Sequence, residues 1–136
     1  MRTYSELIEQ DSVHDRFEYL RLDGAVGEST FGFDRWMNQQ FYRSPQWKSV
    51  RREVLIRDNG CDMAIEGLDA GNRPIIHHMN PLSVEDVRYQ RPSNLDPEFL
   101  ITVRLQTHNA IHYGDSSLLP ATEFTERRPN DTVPWR

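Results

Sequence analysis

The chain predicts a single small domain of the α+β class. Three observations carry this. An amphipathic helix begins unmistakably at Ser44-Pro45. Two short apolar runs, Ile75-Ile76 and Leu100–Val103, have the length of strands rather than helices. Between Pro74 and Gly114 lie four of the chain's five histidines, in two tight groups. At 136 residues the chain is long enough to bury one core and hardly two.

Thr3 to Gln10 reads as a short helix, with Thr3 as N-cap and Glu6 at capping-box spacing. Residues 14–21, with Phe17, Tyr19 and Leu20, suit either a strand or a short helix. Asp23-Gly24 and Val26-Gly27 are turn signals. Phe31, Phe33, Trp36, Met37 and Phe41 form an aromatic-rich segment with partly helical spacing, read as packing against the core. Ser44 then caps the clearest helix, and Pro45 fits its first turn because no hydrogen bond is lost there. Trp47, Val50, Val54 and Leu55 share one face of it, and Asp58-Asn59-Gly60 ends it. Cys61 to Ile76 reads as a β-hairpin or a pair of loops, bending at Gly67, Gly71 and Asn72.

Ile75-Ile76 brings a strand to His77-His78, and Pro81 stops the ladder. Ser83 caps one helical turn through Val87, and Arg88 to Asn94 reads as a polar surface loop. Asp96-Pro97-Glu98 starts another short helix, and Leu100–Val103 is a strand or buried connector. Thr107 is the expected cap of a last helix that carries His108 and His112 and ends at Gly114. The polar, proline-containing remainder reads as a tail anchored by Leu118, Leu119, Phe124 and Trp135.

The histidines are the chemistry-bearing feature. Residues at i and i+4 of a helix point the same way, so His108 and His112 can reach one metal ion. Neighbours in a strand point to opposite faces, so one of His77 and His78 can complete that site while the other faces substrate. A helical histidine pair arises by chance, and a doublet can simply be a strand leaving the core. Doublet and pair together point to a metal.

Ile76-His77-His78-Met79-Asn80-Pro81-Leu82, then Leu95-Asp96-Pro97-Glu98-Phe99-Leu100-Ile101-Thr102, then Thr107-His108-Asn109-Ala110-Ile111-His112-Tyr113-Gly114, resemble an HNH endonuclease of the phage and prophage type. The likeness extends through Phe33-Asp34-Arg35-Trp36, Trp47 and the Arg57–Asp62 run to the tail, Arg128–Asp131 with Pro134-Trp135-Arg136. The resemblance implies a ββα-metal core, a hairpin followed by a helix. The boundaries that go with it are 1–43 for an N-terminal helical extension packing on the core, 44–116 for the nuclease core and 117–136 for an extended tail. It assigns His77, His108 and His112 as ligands of one divalent ion and His78 as the general base. Histidine ligands suit Zn²⁺, Ni²⁺ or Mn²⁺ better than Mg²⁺.

Two departures stand out. Many members carry two Cys-x-x-Cys pairs around a structural zinc; here those positions are Cys61 and Ala64, Arg104 and Thr107, so no such site is expected. The family's middle asparagine, which braces the loop carrying the base, lies nine residues before the His108 position, where this chain has Phe99. Asn94, Asn80 and Asn109 are the candidates to replace it.

The net charge of −5 argues against indiscriminate DNA binding. Its distribution is uneven: acids dominate the first 35 residues, whereas Arg43, Lys48, Arg51, Arg52 and Arg57 face only Glu53. Lys48, Arg51 and Arg52 are the candidate nucleic-acid contacts, although a solvated helix face has the same pattern. One cysteine, Cys61, excludes an internal disulfide and fits a reducing cytoplasm. No run is long enough to span a membrane, and the first residues lack the apolar stretch of a secretory signal. The expectation is therefore a cytoplasmic, metal-dependent DNA endonuclease. The phage likeness implies a place beside genome packaging, with terminase proteins as partners, or in attack on a host genome. The competing class is a non-catalytic nucleic-acid- or protein-binding module that keeps the metal as a staple. Such a module has no use for His78, whose presence favours the enzyme.

Overall fold

The computed structural model describes residues 1–22 and 35–120. The turns read at Asp23-Gly24 and Val26-Gly27, Phe31 and Phe33, the side chains of Trp36 and Met37, and the tail anchors Phe124 and Trp135 lie outside the described residues. In chain order the elements are α1 (Tyr4–Leu7), α2 (Val13–Leu20), α3 (Arg35–Arg43), α4 (Pro45–Arg57), β1 (Ile75–His78), α5 (Val84–Arg88), β2 (Leu100–Val103) and α6 (Leu105–Tyr113), with short 3₁₀ turns at Pro92–Leu95, Pro97–Phe99 and Ser116–Leu118. This is a small α+β domain.

The caps explain most helix starts. Thr3 accepts the N–H of Glu6, Ser12 that of Asp15, and Ser44 that of Trp47, each offering a hydroxyl to a donor the helix leaves unpaired. Ser83 and Asp86 form a reciprocal box, side chain to backbone in both directions. The ambiguous stretch before Arg21 is thus a helix, and the first helix is one turn long rather than reaching Gln10.

β1 and β2 pair antiparallel, with Ile75 opposite Val103, Ile76 opposite Thr102, His77 opposite Ile101 and His78 opposite Leu100. Side chains alternate across this two-stranded sheet. Ile75, Ile101 and Val103 enter one cluster with Leu7, Phe17, Leu20, Ile65, Met79, Ala110 and Ile111. Ile76 and Leu100 enter a second with Trp47 and Val54 of α4, flanked by Val50 and Leu55. The sheet is therefore sandwiched, with α6 and the N-terminal helices on one face and α4 on the other. His77 and His78 face these two sides in turn.

Of the two alternatives read for Cys61 to Ile76, the pair of loops is the one found up to Pro74: Cys61 and Asp69 make one isolated bridge, and turns fill the rest. Two expectations need correction. Thr107 does not cap the last helix. That helix starts two residues earlier, with Arg104 at the cap position making no side-chain cap bond, and Thr107 is buried inside it. Residues 88–94 are not all surface loop, because Asn94 is buried in a 3₁₀ turn. In the tail, Leu119 packs against the larger cluster while Leu118 is exposed.

One carboxylate ties the turns after α4 to the start of α6. Asp62 accepts from the N–H of Ala64 (2.9 Å), the N–H of Arg104 (3.0 Å) and the hydroxyl of Thr107 (2.6 Å). Burial pushes its carboxyl above the ordinary value, and these donors pull it back. A second clamp ties α4 to β2. Arg57 donates to the carbonyls of Pro97 and Leu100, pairs with Asp58 and lies over the Tyr4 ring, while Asp58 accepts the N–H of Thr102. Arg57 is thereby committed to the fold and does not belong with the candidate DNA-facing cations.

Candidate metal centre

β1 delivers His77 and α6 delivers His108 and His112 to one place. The candidate ligand atoms of the three all lie within 4.8 Å of one another. Nitrogens bound tetrahedrally to one ion at ~2.0–2.1 Å stand roughly 3.4 Å apart, so shifts of about an ångström close the site. His77 is 2% exposed, and the other two are partly buried. Nε2 of His77 and Nδ1 of His108 are buried with no hydrogen-bond partner. A buried, unpaired nitrogen is costly unless something fills the gap. A divalent cation fits that gap, and the donor set is all imidazole.

Electrostatics favour the same reading. Burial, then the neighbouring imidazoles, holds His77 well below its ordinary 6.5. Burial and then His112 push His108 down to about 4, and burial lowers His112. Neutral imidazoles offer the lone pairs that a metal requires.

His78 is placed differently. It lies on the α4 face of the sheet, stacked on Trp47 with centroids 5.2 Å apart and planes 16° apart. Phe41 and Tyr42 flank it at 6.1 and 6.3 Å. Its Nε2 lies 3.1 Å from the carbonyl of Asn94. A carbonyl only accepts, so Nε2 carries the proton and Nδ1 is left as the basic nitrogen. Burial pushes this imidazole down to about 4, opposed by the Asn94 bond.

Of the three candidate asparagines, Asn94 is the one that contacts His78. Besides holding His78 through its carbonyl, it donates its amide to the carbonyl of Asp86, 2.8 Å away, so it ties the loop after β1 to the histidine. Asn80 is occupied by the N-terminal segment, exchanging two hydrogen bonds with the backbone of Arg2. Asn109 sits beside His108 on α6. Phe99 contributes its carbonyl to the N–H of Met79 rather than a side-chain brace.

Of the proposed nucleic-acid contacts, Lys48 and Arg52 are exposed one turn apart on α4. Arg51 is partly buried and donates to the carbonyl of Pro74, just before β1. Lys48 follows Trp47 directly, so these cations flank the face that carries His78. Three participants were not legible beforehand: the Trp47 stack, the Asn94 carbonyl and the Asp62 clamp. Trp47 read correctly as a core residue, but only tertiary packing shows which ring it meets. No family model, curated protein or solved structure matches this chain, so what the site does has to be argued from its own residues.

Proposed function

We propose that this chain is a metal-dependent endonuclease that hydrolyses DNA phosphodiesters, with His77, His108 and His112 holding one divalent ion and His78 as general base. One observation carries the reading: three histidines, two of them with a buried nitrogen that has no hydrogen-bond partner, bring their ligand atoms within 4.8 Å of one another, while His78, adjacent to His77 in sequence, is turned away and held by the Asn94 carbonyl. A staple needs only the first three. The antiparallel pair β1–β2 followed directly by α6 lends support to the reading, since the HNH resemblance implies a hairpin followed by a helix.

A phosphodiester resists attack because its anionic oxygens repel hydroxide and its leaving sugar oxygen is poor. A bound divalent ion supplies charge stabilisation at the phosphate and the departing oxygen. The chain's own residues do the remainder. His78 accepts the proton of the attacking water at Nδ1. The Asn94 carbonyl fixes the tautomer, and Trp47 fixes the ring plane. The imidazolium so formed is stabilised by the substrate's own negative charge. Lys48 and Arg52 offer cations to flanking phosphates.

The test is incubation of purified protein with supercoiled plasmid and Mn²⁺, Mg²⁺, Ni²⁺ or Zn²⁺, beside EDTA and His78→Ala. The reading expects metal-dependent cutting that EDTA abolishes and His78→Ala loses. Metal binding with intact plasmid under every condition would instead establish the staple, a binding module tied together through β1 and α6.

A further inference from the structure

Arg2 lies far from the histidines in sequence but is fastened between the elements that carry them. Its backbone exchanges two hydrogen bonds with the side chain of Asn80, three residues past His77 (2.8 and 2.9 Å). Its guanidinium donates to the carbonyls of Tyr19 (2.9 Å) and Arg21 (3.1 Å). The next residue, Leu22, pairs with the carbonyl of Ile111, beside His112, and Arg21 reaches the carbonyl of Gly114 at the end of α6. The N-terminal segment is thus clipped at one end to the loop after β1 and at the other to the C-terminal end of α6.

The guanidinium there is partly buried, and among the described residues no carboxylate pairs with it. Two of its five N–H donors are used by carbonyls, which fix its orientation and leave three. A partly buried cation without a counter-ion, beside a site built from neutral ligands, is unfavourable in the free protein and favourable once an anion arrives.

We infer that Arg2 is a substrate-binding residue of this centre, donating to a non-bridging oxygen of the phosphodiester held at the His77–His108–His112 cluster. This rests on the phosphodiester reading above. Arg2 makes and breaks no covalent bond. It supplies charge and a planar donor fork where the phosphate sits, and its carbonyl contacts hold that fork in place before substrate binds. The competing role is a cap on the last carbonyls of α2, which needs a donor there but no anion.

The test is titration of Zn²⁺-loaded protein with dimethyl phosphate, followed by nuclear magnetic resonance, for wild type, Arg2→Lys and Arg2→Gln. Zinc affinity and urea midpoint are measured for each. Wild type should bind the diester, Arg2→Lys more weakly because it loses the fork, and Arg2→Gln weaker by about tenfold or more. Zinc affinity should stay within about threefold throughout, because Arg2 is no ligand. An Arg2→Gln protein that holds the diester as wild type does overturns the inference and leaves Arg2 as a cap. Loss of zinc binding or of the fold in Arg2→Lys, which keeps a cation, does the same. If wild type binds zinc but no diester, the phosphodiester reading falls with it. If plasmid cutting persists and only the Arg2 effect is missing, Arg2 alone is wrongly assigned.

Discussion

At the scale of single residues, the site divides the histidine doublet. His77 and His78 differ by one position in a strand, and that one position decides whether an imidazole meets the histidines of α6 or stacks on Trp47 of α4. Substitution should separate them. His112→Ala should weaken Zn²⁺ binding on the order of a hundredfold or more, measured by calorimetry, because one of three ligands is gone. His78→Ala should leave zinc affinity nearly unchanged. The metal-free protein should also lose stability in acid. The four imidazoles have folded values below the ordinary 6.5, so the unfolded chain binds protons first as pH falls. Stability is thus undiminished above about 6.5 and declines towards about 4, the value for His78 and His108. Urea midpoints across that window check this, and a flat profile would contradict the burial of the histidines. The i, i+4 pair and the strand alternation made His108, His112 and one member of the doublet legible as a cluster; that this member is His77 was implied only by the resemblance. Asn94 could be named only as one of three, because bracing acts through a backbone carbonyl, which every residue has.

At the scale of elements, the start of α6 is held to the turns that precede β1 by Asp62, which joins Ala64, Arg104 and Thr107. Asp62→Ala leaves two buried donors and one partly buried donor unpaired and should destabilise the protein by about 3 kcal/mol or more in urea unfolding. Thr107→Val keeps the shape, loses one donor and should cost about 1–3 kcal/mol. The other end of α6 turns at Gly114, with φ of 64°, and a Cβ there would stand 2.5 Å from the carbonyl oxygen of Leu22. Gly114→Ala should therefore cost about 2 kcal/mol or more. The start of α4, the capping at Thr3, Ser83 and Asp96, and the end at Gly114 were legible because each is set by nearest neighbours. The start of α6 was not. Thr107 has the chemistry of a cap, but Asp62, distant in sequence, claims its hydroxyl inside the helix. Before Pro74 the sequence left a hairpin and a pair of loops open: glycines at positive φ mark the turns, and only the single Cys61–Asp69 bridge forms between them.

At the scale of the whole molecule, a sheet of two strands is too small to stand alone and takes its stability from helices on both faces. This gives the two histidines separate environments only a strand's thickness apart. Among the described residues no helix is long and apolar enough to cross a membrane. The acidic total charge sits in one chain with an exposed Lys48–Arg52 pair. If that pair meets DNA, the double variant Lys48→Ala, Arg52→Ala should reduce the slope of log affinity against log salt by about 2, with little change in zinc binding. Metal should stabilise the fold as a whole. At a hundredfold excess over its dissociation constant it adds about 2.7 kcal/mol, roughly 10 °C in melting temperature. The most direct test of the account compares plasmid cleavage and bound-metal content in parallel for wild type, His78→Ala and His112→Ala. The account predicts that His78→Ala keeps its metal and cuts about 10²–10⁴-fold more slowly, whereas His112→Ala loses both. Undiminished cutting by a metal-loaded His78→Ala protein would contradict it.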